Sequence, residues 1–501
     1  MVTFPEACVA IILTLVVLLS VFTIGELYLR LVRYAIPSFA HGVVVIYWTG
    51  TILYACLWFI IGTFHLLNVA SFWVVTALLG VLTWRLCVYR KAFDGLIKVF
   101  GNYNLRGIRL VVALVAVVLL TILVFSSFRF IPIPDESAYM WASPTYWASE
   151  ATWSASPYRH SDGPILWNVI HTVFALSKSN AGAHLFNLST LPIAALSTAL
   201  IGQRLRVPSY ISVLVVLGTP SLVCNSFTCA TDLPAASLAL FLIHIGVETR
   251  FAKELRSLDK VSLLSIWSIY SVKLTILPSF FIYLLLTLNN SFLHFTWQGK
   301  HVFSKLSALR IYFVPLLVSV VMWTLRNFVL TGKVFDQRNE MLATGPNHWL
   351  WHTGAELARI PDLKELLVLP ILPLILPILG GKEPYGGRVG FAMLLLWPTM
   401  FAATSLNFKG ILFRITQNLS VFLLVSSWIT YSLVSILIPK TRYSAYVWPL
   451  MCISCISILS DRLLPKYRSK LMLLSAGLCL VSIILDEMRV LVAGLIGEYL
   501  R

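Results

Sequence analysis

An adjacent acid pair, Asp135–Glu136, opens the stretch of this chain best equipped for chemistry: FRFIPIPDESAYMWASPTYWASEATWSASPYRHSDGP. The pair follows an apolar run, and Pro132 and Pro134 stiffen its approach. A carboxylate just beyond a helix end can take a proton from an attacking hydroxyl, or hold a divalent cation. Arg159, His160 and Asp162 follow as candidate substrate contacts, among three tryptophans and three tyrosines whose faces suit sugar rings. The competing account is an ordinary aromatic belt with solvated acids. Asp232, in CATDLPAAS, begins a later apolar helix. It can cap that helix by accepting from free backbone N–H groups, or act as a functional acid at a bilayer boundary; the two roles are compatible.

Three basic residues stand apart from the other cations. Lys273 interrupts an apolar run in SVKLTILP, Arg326 ends another in WTLRNFVLTG, and Arg442, followed by Tyr443, begins a late helix in PKTRYSAYVWP. Cations converging from separate helices would hold a phosphate well; each alone can instead snorkel to the interface. No H-E-x-x-H, no phosphate-binding glycine loop and no dinucleotide fingerprint occurs, so neither a zinc protease site nor nucleotide binding has motif support. Cys452 and Cys455 have C-x-x-C spacing within an apolar helix, which reads as packing. Cys224 and Cys229 flank a connection where a disulfide is permitted but not required by the spacing.

The elements that must position these residues are membrane helices. The chain is 58% hydrophobic and only 12% charged, with a mean hydropathy of +0.84. A soluble surface needs about 25% charged residues, and the recurring apolar runs are long enough to cross roughly 30 Å of hydrocarbon. Alternating strands of barrel type are absent from the sequence. The net charge of +17 does not form a nucleic-acid surface, because the cations sit in clusters between apolar runs, as in the positive-inside pattern. Placing Arg30/Arg33, Arg85–Arg109, Arg204/Arg206 and Arg250–Lys260 in the cytoplasm sets the N-terminus outside.

Five regions follow. A four-helix membrane segment spans 1–128, and an outer loop carrying the acidic and aromatic site spans 129–181. A central membrane bundle covers 182–329. A second outer loop, 330–388, includes the proline-rich LLVLPILPLILPILG, too short and too kinked to cross. C-terminal membrane helices cover 389–501. The run 261–289 is too long for one crossing, so Lys273 and Pro278 should mark a break between two short helices meeting near the outer face. Acids collect in the outer connections, with Asp336, Glu340, Glu356, Asp362, Glu365 and Glu383 in the second loop. No internal repeat is visible, against a transporter reading.

With these residues in place, the chain resembles the GT-C superfamily of polytopic glycosyltransferases over roughly 120–450. The resemblance lies in the acid pair Asp135–Glu136 in the first large outer loop, and in TDLPAA around Asp232 at the start of a later helix. It continues in Lys273–Thr275 at a helix break, in Arg326, Asn327, Thr331 and Gly332, and in Arg442–Tyr443. Four helices precede the acidic loop where many relatives have one, and no larger soluble C-terminal domain follows.

The resemblance implies an all-α polytopic, GT-C-like helical bundle of about 12–14 transmembrane helices with two large outer loops. It implies an integral protein of a bacterial inner (plasma) membrane, with its site facing the periplasm. The activity implied is inverting transfer of a sugar from a polyprenyl-phosphate carrier to a glycan or lipid-linked acceptor. Asp135 would be the base, Glu136 and Asp232 would contact acceptor or metal, and Lys273, Arg326 and Arg442 would cradle the phosphate. A divalent cation on Asp135 and Glu136 is compatible with this scheme. Two alternatives stay open: a glycan polymerase or ligase using diphosphate-linked donors, with Arg159, Arg338 or Arg359 more prominent, and a lipid-linked oligosaccharide flippase.

Overall fold

A computed structural model describes residues 3–86, 107–128, 141–154, 166–226, 228–251, 256–292, 301–331, 391–404, 418–437 and 444–487. Every regular element among the described residues is helical. The first four apolar runs become α1 (Phe4–Leu31), α2 (Phe39–Thr63), α3 (Val69–Leu86) and α4 (Ile108–Phe128). They are followed by α5 (Ala142–Glu150), α6 (Leu166–Leu176), α7 (Asn180–Leu188), α8 (Thr190–Arg204), α9 (Ser209–Leu217) and the single turn α10 (Pro220–Val223). The centre is α11 (Asp232–Phe251), then α12 (Arg256–Val272), α13 (Leu277–Phe292) and α14 (His301–Thr331). The chain ends in α15 (Leu396–Thr404), α16 (Leu419–Leu437), α17 (Val447–Arg462) and α18 (Pro465–Ser482).

Among the described residues, 8 helices are long and apolar enough to cross a membrane. The remaining runs are divided into shorter apolar helices such as Leu166–Leu176, Lys260–Val272 and Leu277–Thr287. The divisions fall where sequence chemistry breaks the helix ladder. Gly218–Thr219–Pro220 separates α9 from α10, and Lys273 with Pro278 separates α12 from α13. The run 366–380 lies outside the described residues. The stretch from 129 to 181 is more than a loop: α6 is buried from Leu166 to Ala175. Its apolar residues Trp167, Ile170, Val173 and Phe174 recur at helical spacing, interrupted by Asn168, His171 and Thr172.

Several hydroxyls inside the bundle are satisfied by nearby carbonyls, as a medium without water favours. Thr14 and Thr49 hydroxyls donate to carbonyls one turn back, at 2.7 Å each. Other hydroxyls link helices: Thr23 with Thr83 at 2.6 Å, Tyr47 with Ser189 at 2.8 Å and Ser420 with Ser457 at 2.7 Å. Such bonds contribute about 0.6 kcal/mol each in membrane proteins. Where α1 and α2 cross, the backbones touch. A Cβ on Gly25 would meet the carbonyl of Ile46, and one on Gly50 the carbonyl of Val21.

The bundle has two chemically distinct ends. At one, Arg30 donates to the Leu86 carbonyl (3.3 Å) and Tyr28 to the Lys260 carbonyl (3.0 Å). Arg204 pairs there with Glu248 at 2.6 Å, and Ser457 donates to the Leu205 carbonyl at 2.8 Å. These contacts gather three cationic residues, Arg30, Arg204 and Lys260, from parts of the chain far apart in sequence. A buried chain also closes this end: the Tyr34 hydroxyl meets His41 at 2.6 Å, and His41 meets His244 of α11 at 2.9 Å. At the opposite end, the segment after α5 closes over α2, with Trp153 donating to the Phe59 carbonyl (2.7 Å) and Leu67 N–H to the Ala151 carbonyl (3.1 Å).

Candidate functional site

Asp232 and Lys273 come together at that opposite end. Asp232 is the first residue of α11, with Pro234 in the first turn, where a missing N–H leaves no hydrogen bond unmade. Lys273 stands just past α12. Pro278, second in α13, cannot donate back along a continuous helix, so the chain takes a short 3-10 turn at Leu274–Ile276 before resuming. The break lets Lys273 leave the helical path, and its ammonium donates to Asp232 Oδ1. The Asp232 side chain is 2% exposed and that of Lys273 18%. The carboxylate is thus enclosed, while the lysine side chain is partly exposed. Asp232 serves here as a partner for Lys273, and the cap position before α11 belongs to Thr231, whose carbonyl accepts from Ala235 N–H at 3.0 Å.

The next layer is aromatic. Two residues before Lys273, Ser271 accepts from the Trp323 indole at 2.8 Å and shares a 2.7 Å hydrogen bond with Ser319, both on α14. One turn on, the Arg326 guanidinium lies over the rings of Trp147 and Trp323, 5.9 Å from each centroid, and donates to Asn327 at 3.2 Å. Phe59 packs edge-on to Trp323 at 5.4 Å and stacks on Trp153 at 6.0 Å. Trp147 and Trp153 of the stretch 129–181 are buried, Trp147 beneath Arg326 and Trp153 against Trp147, so these two rings are not open sugar platforms. Cation–π contacts of this kind contribute about 0.5–2 kcal/mol.

The residues predicted from sequence divide cleanly. Asp232 and Lys273 are in contact, and Arg326 stands at the same end. Asp135, Glu136, Arg159, His160, Asp162, Arg442 and Tyr443 lie outside the described residues. Among the described residues, no group of three or more His, Cys, Asp or Glu side chains is arranged to hold a metal ion. Cys224 and Cys229 are both buried thiols and form no disulfide with each other.

One residue escaped the sequence reading. Asn187, fully buried at the end of α7, directs its side-chain amide into the segment leading to Asp232. The available signal was a strongly polar residue inside the apolar run 182–203. Compared with known proteins, the chain matches no family model, no curated protein and no solved structure.

Proposed function

We propose that this integral membrane protein is a GT-C-type glycosyltransferase that moves a sugar from a polyprenyl-phosphate carrier to a glycan or lipid-linked acceptor, with inversion. The observation that carries this reading is the Asp232–Lys273 ion pair, set at a helix break on the same end of the bundle as Arg326. An ammonium has three donors. Asp232 takes one and aims the group, and the cationic charge faces the phosphate of a lipid-linked donor in this scheme. Arg326, lying over two indoles, adds a planar donor fork matched to phosphate.

In the reaction, the acceptor hydroxyl gives its proton to the Asp135 carboxylate as its oxygen bonds to the anomeric carbon. The bond from that carbon to the phosphate oxygen breaks, and its electron pair stays on the departing lipid phosphate. Lys273, Arg326 and Arg442 oppose the charge that develops there. Glu136 contacts the acceptor, and Arg159, His160, Asp162 and Tyr443 are substrate contacts in the same scheme.

The test is transfer by purified protein from a radiolabelled polyprenyl-phosphate sugar. Asp135→Asn keeps shape but removes basicity and should abolish transfer while leaving expression and membrane insertion intact. Transfer near the wild-type level in Asp135→Asn removes that residue from the base role. If the wild-type protein instead carries lipid-linked sugar across a liposome bilayer without transfer, the flippase reading replaces this one.

A further inference from the structure

We infer that Asn187 is a positioning residue for the Asp232–Lys273 pair, a clamp that fixes the irregular chain from which α11 starts. This rests on the reading of that pair as the phosphate-side half of the transfer site. The described residues between α10 and α11 are not helical, yet Asn225, Ser226, Thr228, Cys229 and Ala230 are all buried. Carbonyls in such a place cannot turn to water and must be given donors by the protein. The Asn187 Nδ2 group supplies them. It lies 2.6 Å from the Thr228 carbonyl, 3.0 Å from that of Ala230 and 3.4 Å from that of Asn225. With two N–H bonds to give, it makes two good hydrogen bonds and a longer third contact. Both strong acceptors lie within four residues of Asp232.

The amide cannot turn over. Its Oδ1 accepts from the Trp167 indole of α6 at 3.1 Å, and an indole N–H can only donate. The base of the clamp is equally fixed. The Asn187 carbonyl accepts from the Thr190 hydroxyl at 2.7 Å, and the Thr190 carbonyl accepts from Ser237 at 3.1 Å, just over one turn into α11. Asn187 therefore grips the chain before Asp232 while its own backbone is tied to the helix after it. A shift of that chain would carry the Asp232 carboxylate away from Lys273.

Chemistry at one position separates a donor clamp from mere filling of space. Asn187→Asp keeps the volume and the acceptor for Trp167 but turns a carboxyl oxygen toward the carbonyls; Asn187→Ala removes the donors together with the Oδ1 acceptor and the volume, and places no repelling oxygen. A clamp makes Asp the worse variant, whereas a packing role makes Ala the worse. The direct readout is competitive acetylation of the full-length protein in detergent, with Lys273 followed by mass spectrometry and Asp232→Asn marking the fully released lysine. We expect labelling of Lys273 to rise about fivefold in Asn187→Ala, the factor of one net hydrogen bond, and further in Asn187→Asp.

Trp167→Phe, which removes the orienting N–H but keeps an aromatic ring in the buried site, should raise labelling about twofold. Labelling unchanged in Trp167→Phe and Asn187→Ala, with Asp232→Asn released, overturns the clamp. So does Asn187→Asp behaving as wild type. Released labelling in these variants, in a protein whose wild type transfers no sugar, upholds the clamp and removes the transferase reading instead.

Discussion

A lysine that interrupts an apolar helix must find an anion or a wet edge, and Lys273 finds the Asp232 carboxylate. That Lys273 was a candidate could be read from its neighbours in sequence alone. Its partner could not, because 41 residues separate the two and no local periodicity reports such a meeting. Arg326 poses the sharper residue-scale question. A snorkelling arginine needs only a long cationic stem, so lysine would serve as well. Here the guanidinium lies over Trp147 and Trp323 and bonds Asn327, a setting that uses its planarity. Under the transferase reading, Arg326→Lys should lower turnover by at least about tenfold, or about 1.4 kcal/mol of transition-state stabilisation. Thermal unfolding should move little. A loss in KM with turnover intact would place the fork on the bound donor and not on the developing charge.

At the scale of elements, the break between α12 and α13 was legible because a charge and a proline fell in one overlong apolar run. The helix α6 was not, since Asn168, His171 and Thr172 dilute its apolar face and it lies inside a stretch rich in loop residues. Helix packing is more demanding still, as it depends on contacts between distant glycines. Gly25 and Gly50 sit where α1 and α2 touch backbone to backbone, whereas Gly80 on α3 has nothing within 4 Å of an added Cβ. The same substitution should therefore have opposite effects. Gly50→Ala forces a methyl against the Val21 carbonyl and should destabilise the detergent-solubilised protein by about 1–3 kcal/mol. Gly80→Ala should be neutral or stabilising by up to about 1 kcal/mol, because alanine favours the helix and nothing is displaced. Equal unfolding temperatures for the two variants would show that α1 and α2 do not cross at these glycines.

At the scale of the whole molecule, the charge pattern and the contacts agree on one division. Arg30, Arg204 and Lys260, from connections far apart in sequence, are drawn to one end through contacts with Leu86, Glu248 and Tyr28. The aromatic shelf, Arg326 and the Asp232–Lys273 pair occupy the other. Cations stay on the cytoplasmic side during insertion, so the pair should face outward, as the proposed transfer from a lipid-linked donor at the outer leaflet would require. Three exposed positions test this in a background without reactive native thiols: Asn68 and Ser149 near the aromatic end, and Gln203 at the basic end. A membrane-impermeant maleimide applied to intact cells should label Asn68→Cys and Ser149→Cys, and should reach Gln203→Cys only after permeabilisation. Labelling in the reverse order would turn the site toward the cytoplasm and exclude an outer-leaflet donor. Labelling of Asn68→Cys without Ser149→Cys would separate two segments that the Leu67–Ala151 hydrogen bond joins, and would break the packing on which the position of Arg326 depends.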